Sequence, residues 1–230
     1  MVFGKRRPVD EPAVPAVLWT DVHKFTIGSV ERPVTSKRKR AVHGPRAVRV
    51  PRGGNDHRVY APCAYLAPAS RPAPAGITGP RLYEDEDAQK LLCYLEPSDE
   101  TEGEKPYRVL DGHGQLIGTV RRLAPAKRFL KHTWRIEQPG RPQIVGRNQW
   151  AVSSTKELAE LAATKVVLNT FQAIVDMGAE GGDQPSKPRT LEWKADGKLV
   201  MTSEGSELVT IKADWLDRRL AFAFALLGDG

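Results

Sequence analysis

The sequence predicts an α+β fold in which an antiparallel, barrel-like sheet encloses a hydrophobic C-terminal helix. Three observations predict it: repeated hairpin patterns, an entirely apolar segment near the end of the chain, and a change of composition near residue 80. Residues 1–80 are expected to form a basic, proline-rich arm and linker that is largely disordered. Residues 81–230 are expected to form the folded domain, which includes one further amphipathic helix.

Three segments of this domain have the pattern of a β-hairpin. Each has large apolar residues at positions i and i+2, then a turn that contains glycine, then a returning apolar strand. The segments begin at Tyr107, Trp134 and Leu191, so their starts are 27 and 57 residues apart. This spacing predicts a meander, although any antiparallel sheet yields similar patterns, and an internal repeat and unrelated hairpins both stay open.

The longer interval is predicted to hold the amphipathic helix, over residues 154–177. Leu161, Leu168 and Val175 recur every seven residues, and Gly178 follows them. Such spacing places apolar side chains on one face and leaves the other face polar.

A second helix is predicted at the C-terminus, with Asp214 as its N-cap. Every residue from Leu220 to Leu227 is apolar, so this helix has no polar face to turn towards water. Eight apolar residues are far fewer than the roughly 20 needed to span a bilayer. The segment must therefore be surrounded by other parts of the protein.

Together these features resemble the tubby C-terminal-like fold, which phospholipid scramblases and the plant LURP-one-related proteins share. The stretches that carry the resemblance are residues 107–118, 134–140 and 217–227, and it covers about residues 82–230. In that fold a closed antiparallel barrel is threaded by a hydrophobic C-terminal helix. Few clear strands precede Tyr107 and the helix over 154–177 is long for an insertion, so an incomplete barrel is the alternative.

The resemblance implies binding of anionic phospholipid headgroups, or a scaffold role, more than catalysis. No acidic calcium-binding segment of the scramblase type follows Ile211, so lipid scrambling is not expected. The leading hypothesis is a non-catalytic protein whose basic surface engages anionic phospholipid or a protein partner.

A basic segment within the domain is the first candidate for this surface. It stands out because the rest of the domain is slightly acidic. Each cation near an anionic membrane contributes about 1 kcal/mol of binding energy. A solvated connecting loop is the alternative reading. The candidate headgroup ligands are Arg121, Arg122, Lys127, Arg128 and Lys131.

The arm supplies a second candidate, for non-specific nucleic-acid binding through residues 1–60. These residues contain thirteen Lys/Arg and five Asp/Glu, whereas the other 170 contain 22 and 23, so the net charge of +7 belongs to the arm. Flexible cations neutralise phosphates, but no Phe, Tyr or Trp lies between Phe25 and Tyr60 to stack on bases. A tether or solubilising tail is the alternative. The candidate ligands are Lys37, Arg38, Lys39, Arg40, Arg46, Arg49 and Arg52.

No catalytic, metal or cofactor site is predicted. Cys63 and Cys93 are the only cysteines, and their scarcity indicates reduced thiols in a cytoplasmic protein. The histidines are scattered, the acidic clusters fall in exposed loops, and Gly112-His-Gly114 lacks dinucleotide-binding spacing. We expect a soluble protein without a signal peptide or transmembrane segment, able to associate peripherally with membranes. An enzyme whose site cannot be read from sequence is a further alternative.

Overall fold

The computed structural model describes residues 14–67, 74, 76–99, 105–123, 133–148 and 190–228. These residues form twelve β-strands, two single-turn 3-10 helices (Trp19–Asp21 and Asn55–His57) and a C-terminal helix, α1, over Arg218–Gly228. The strands are β1 Lys24–Arg32, β2 Val42–Arg52, β3 Val59–Leu66, β4 Arg81–Tyr83, β5 Leu91–Pro97, β6 Lys105–Asp111, β7 Leu116–Leu123, β8 Thr133–Glu137, β9 Ile144–Asn148, β10 Thr190–Ala195, β11 Lys198–Glu204 and β12 Leu208–Ile211.

The twelve strands close into an antiparallel barrel. Each strand pairs with the next one along the chain, and β12 returns to pair with β1, where Phe25 lies opposite Val209. Closure removes the unpaired edges that an open sheet would expose. The predicted barrel-like sheet is confirmed, and the barrel is complete.

The prediction of a largely disordered arm over residues 1–80 is wrong for residues 24–66. These residues form β1, β2 and β3, a quarter of the strands in the barrel wall. Many of their apolar residues alternate with arginine or proline, as in β2, where Val48 and Val50 pack on the core and Arg49 lies between them. Composition therefore resembles a linker, although the alternation suits a strand that covers a core on one face. The amphipathic helix predicted over 154–177 lies outside the described residues.

The three predicted hairpins are confirmed as β6–β7, β8–β9 and β10–β11. Their turns contain Gly114, Gly140 and the Asp196-Gly197 pair, and all four residues have positive φ. Two successive residues with positive φ at 196 and 197 are typical of the two-residue turns that match the twist of paired strands.

Helix α1 lies inside the barrel, as the apolar segment predicted. Residues Leu220 to Ala225 are at most 1% exposed. Phe222 meets Phe25 of β1 edge-to-face at 4.8 Å between ring centroids. Phe224 meets Trp134 of β8 at 5.2 Å and Trp193 of β10 at 4.4 Å. Contacts with strands on different sides of the wall show that the sheet surrounds the helix.

The N-cap of α1 is Asp217 and not the predicted Asp214. The Asp217 carboxylate accepts a hydrogen bond from the backbone N–H of Arg219 at 3.0 Å, which is the geometry of an N-cap. It also forms a two-point ion pair with the Arg219 guanidinium, at 3.0 and 2.7 Å. The pKa of Arg219 is raised, chiefly by this hydrogen-bonded carboxylate. The side chain of Asp214 is instead 91% exposed.

Candidate anion-binding surface

Two loops that should lie far apart meet on the outside of the barrel. Residues 33–41 precede β2 and residues 53–58 follow it, so a straight eleven-residue strand would hold them about 33 Å apart. Instead, the Thr35 hydroxyl donates to the Asp56 carbonyl at 3.3 Å, and the Ser36 hydroxyl donates to the Asp56 carboxylate. The β1–β2 hairpin therefore folds back along the barrel wall.

The fold-back begins at an irregularity in the hairpin. Gly28 pairs with Ala47 and Val30 pairs with His43, so two steps along β1 correspond to four along β2. The extra residues include Gly44 and Pro45. Proline lacks the N–H that a regular ladder needs, and a bulge is one of the few places in a sheet that accept it. A side chain at position 44 would overlap the Glu31 carboxylate, so glycine suits this site.

Arg49 holds the bend in place. Its side chain is 0% exposed, and it lies on the opposite face of β2 from the core residue Val48, because successive side chains of a strand alternate. Its nitrogens donate to the carbonyl oxygens of Gly28 at 2.9 Å, Tyr60 at 3.0 Å and Pro45 at 2.6 Å. It also pairs with Glu31 at 3.3 Å. The prediction that Arg49 binds nucleic acid is wrong, because this guanidinium is buried and its donors are occupied.

The fold-back brings the cationic segment Lys37–Arg40 next to the loop that carries His57 and Arg58. Lys37 Nζ lies 3.4 Å from His57 Nε2, and Arg38 donates to the Arg58 carbonyl at 3.4 Å. Lys39 and Arg40 are exposed beside them in the chain. We call this set the basic surface, and it consists of Lys37, Arg38, Lys39, Arg40, His57 and Arg58.

The charge around the basic surface is strongly one-sided. Residues 33–58 contain eight Lys/Arg and a single carboxylate, Asp56. Arg46 and Arg52, which were also predicted to bind nucleic acid, are exposed on β2 within the same range. His57 was absent from the predicted ligand sets because it lies 20 residues from Lys37 along the chain. Only the bend in β2 makes them neighbours.

The turn that carries the lysines is held together by its own hydrogen bonds. The backbone N–H of Thr35 donates to the Arg38 carbonyl at 2.8 Å, and the Arg38 N–H donates to the Thr35 hydroxyl at 3.0 Å. The Arg38 guanidinium also donates to the Pro33 carbonyl at 3.2 Å. Cations on such a turn are partly pre-organised, so a bound anion orders less of the chain.

The other predicted headgroup site is only partly within the described residues. Arg121 pairs with Glu137 at 3.1 Å, which offsets its charge. The Arg122 guanidinium lies 5.8 Å from the centre of the Trp134 ring, in cation–π geometry. Both therefore already contact the barrel wall. Lys127, Arg128 and Lys131 lie outside the described residues.

The described part of the chain contains no arrangement that indicates catalysis or metal binding. Over those ranges, no three His, Cys, Asp or Glu side chains are grouped to hold a metal ion. Burial raises the pKa of both Cys63 and Cys93 to about 12, so neither thiol is a ready nucleophile. Nor does any helix in these ranges have the length and apolar character needed to cross a bilayer.

Comparisons with known proteins return no match to this chain, whether with family models, curated proteins or solved structures. A functional proposal therefore depends on the basic surface and its chemistry.

Proposed function

We propose that the protein is a non-catalytic binding protein of tubby-like architecture whose basic surface engages anionic phospholipid headgroups. The observation that supports this most is that the exposed Lys37, Lys39 and Arg40 lie beside the loop that carries His57 and Arg58. The barrel with an enclosed C-terminal helix agrees with the architecture that the sequence resembles. The proposed ligands thus differ from the segment between Arg121 and Lys131 that the sequence favoured.

Clustered cations suit phosphate groups for an electrostatic reason. Each Lys or Arg near an anionic membrane surface contributes about 1 kcal/mol, and the effect fades within a Debye length. The three exposed cations Lys37, Lys39 and Arg40 would together favour a multivalent anionic surface over a single free phosphate. Binding should therefore weaken steeply as salt is added.

Nucleic-acid binding is the second candidate, because the exposed cations of residues 33–58 would also neutralise a phosphate backbone. This segment offers no aromatic side chain to stack on nucleic-acid bases, since no Phe, Tyr or Trp occurs between Phe25 and Tyr60. The side chains beside the basic surface include the exposed apolar Val34 and Val42 instead. Apolar contacts suit a bilayer better than a polyanion in water, so we favour the lipid.

Co-sedimentation of the full chain with vesicles tests the proposal. Vesicles of phosphatidylcholine alone should leave the protein in solution, whereas vesicles with 30% phosphatidylserine, or about 5% phosphatidylinositol bisphosphate, should pellet it at low salt. The variant Lys37→Glu/Lys39→Glu/Arg40→Glu should lose at least tenfold in affinity. A matched control, Lys24→Glu/Lys198→Glu/Lys212→Glu, makes the same change of net charge at exposed positions elsewhere on the barrel.

Two results would count against the proposal. If both triple variants lose affinity equally, binding reflects net charge and not this surface. If the wild-type protein ignores anionic vesicles but shifts random-sequence DNA at low salt, the nucleic-acid alternative is correct. Deleting residues 1–60 cannot serve as a test, because that deletion removes β1 and β2 from the barrel.

A further inference from the structure

Two exposed valines flank the cations of the β1–β2 connection. Val34 is 62% exposed and Val42 is 38% exposed, on either side of Lys37–Arg40. Contact of such side chains with water is unfavourable, although single exposed apolar residues are ordinary on protein surfaces. Here, however, two of them border the most cationic segment of the chain. This combination distinguishes the connection from the other exposed apolar residues, Leu18, Leu116 and Leu199.

We propose that residues 33–42 insert Val34 and Val42 into the interfacial layer of an anionic bilayer while Lys37, Lys39 and Arg40 contact the phosphates. The inference rests on the proposed function and specifies how the surface meets its partner. Apolar burial and attraction to anionic lipid add to one another in peripheral membrane binding. Lysine and arginine stems are long enough to lie along apolar surface and keep their charges among the headgroups.

The geometry of the turn favours insertion. Its hydrogen bonds between Thr35 and Arg38, together with the bond from Arg38 to the Pro33 carbonyl, fix the backbone on both sides of Val34. The bonds from Thr35 and Ser36 to Asp56 anchor the same turn to the neighbouring loop. Val34 is therefore presented on a braced turn, and inserting it orders little additional chain.

The valines also select among anionic partners. A soluble inositol phosphate or a polynucleotide offers phosphates but no apolar layer, so contact with Val34 and Val42 would add nothing to its affinity. A bilayer offers both. The proposed partner is accordingly the membrane surface itself, and the valines should affect vesicle binding alone.

A fluorescent probe at position 34 tests insertion directly. Cys63 and Cys93 are the only native cysteines and both are buried, so Val34→Cys introduces the one readily labelled thiol. With an environment-sensitive dye at this position, anionic vesicles should shift the emission to the blue, and lipids with a shallow spin label should quench it. The control, Leu199→Cys, places the dye on another exposed apolar position, beside the β10–β11 turn, where neither change is expected.

Removing the apolar groups gives an independent measurement. The variant Val34→Ser/Val42→Ser should lower the vesicle partition coefficient about tenfold. Each substitution removes two methyl groups whose burial in the interfacial layer would favour binding. Its affinity for soluble inositol trisphosphate should stay unchanged. The control Leu116→Ser/Leu199→Ser should partition like the wild type.

The outcomes separate the two proposals. If the serine variant partitions like the wild type and the dye at position 34 neither shifts nor is quenched, insertion is wrong although headgroup binding stands. If the wild-type protein fails to bind anionic vesicles at all, the proposed function fails and the insertion inference fails with it.

Discussion

The guanidinium of Arg49 lies 3.3 Å from the Glu31 carboxylate, beneath the folded end of the β1–β2 hairpin. This pair joins the barrel wall to the hairpin that carries the basic surface. Arg49 also donates hydrogen bonds to the carbonyls of Gly28, Tyr60 and Pro45. The buried Arg49 thus holds the hairpin that carries Lys37–Arg40.

Replacing Arg49 with alanine should therefore lower both stability and membrane affinity. Loss of one partner from a buried, hydrogen-bonded pair typically costs about 3 kcal/mol of the free energy of unfolding. The freed hairpin should also separate Lys37 from His57 and weaken vesicle binding. Urea unfolding and co-sedimentation measure the two effects. Arg52→Ala, three residues further along β2 and exposed, should change stability by less than about 0.5 kcal/mol.

The start of α1 gives a second prediction. Asp217→Ala removes the N-cap and the two-point ion pair with Arg219, and should lower the free energy of unfolding by about 2 kcal/mol. Asp214→Ala should have little effect, because the Asp214 side chain is 91% exposed and lies 3.9 Å from Arg218. Equal losses in thermal or urea unfolding would show that Asp217 is not the cap.

Gly146 of β9 pairs with Trp193 of β10 and has no room for a side chain. A Cβ at this position would lie 2.7 Å from the Trp193 ring, which packs against Phe224 and donates to Ser203 at 3.1 Å. Gly146→Ala should therefore cost about 1–3 kcal/mol through overpacking. Gly28→Ala is the matched control in another strand, since a Cβ there meets no atom within 4 Å. A stable Gly146→Ala protein would contradict this packing.

The two buried thiols give a prediction about reactivity. Burial raises the pKa of Cys63 and Cys93 from 9.0 to about 12, so a disulfide reagent at pH 8 should react slowly with the folded protein. Both thiols should react at once when urea unfolds the chain. Rapid labelling of the native protein would show that one thiol is accessible, and would also complicate the labelling at position 34.

The same thiols make stability depend on alkaline pH. An unfolded thiol ionises near pH 9, whereas the folded thiol stays protonated to about pH 12. Their contribution is therefore complete below pH 9 and is lost as the pH rises towards 12, by about 1 kcal/mol per thiol at pH 10. Urea midpoints at pH 7 and pH 10 measure this loss. A Cys63→Ala/Cys93→Ala variant should show a smaller decline between the two values than the wild type.

Local pattern was enough to predict some elements of this fold. The apolar run from Leu220 to Leu227 leaves no face for water, so its enclosure follows from sequence. The turns at Gly140 and Asp196-Gly197 are likewise recognisable, because positive φ restricts which residues can occupy them. By contrast, Asp214 and Asp217 are equally good caps as residue types. The contacts of Asp217 with Arg219 in the folded chain distinguish them.

The strands β1 to β3 and the candidate site depended on tertiary structure. A strand rich in arginine and proline becomes stable when partners on both sides complete its ladder and a core covers its apolar face, and neither condition is visible in residues 24–66 alone. Arg49 has the same chemistry as its exposed neighbours, yet the folded hairpin buries it. Sequence by itself determined the enclosed helix and the surplus of positive charge in the first 60 residues. Tertiary structure decided where that charge is presented, because a bend in β2 brings together residues that a straight strand would keep about 33 Å apart.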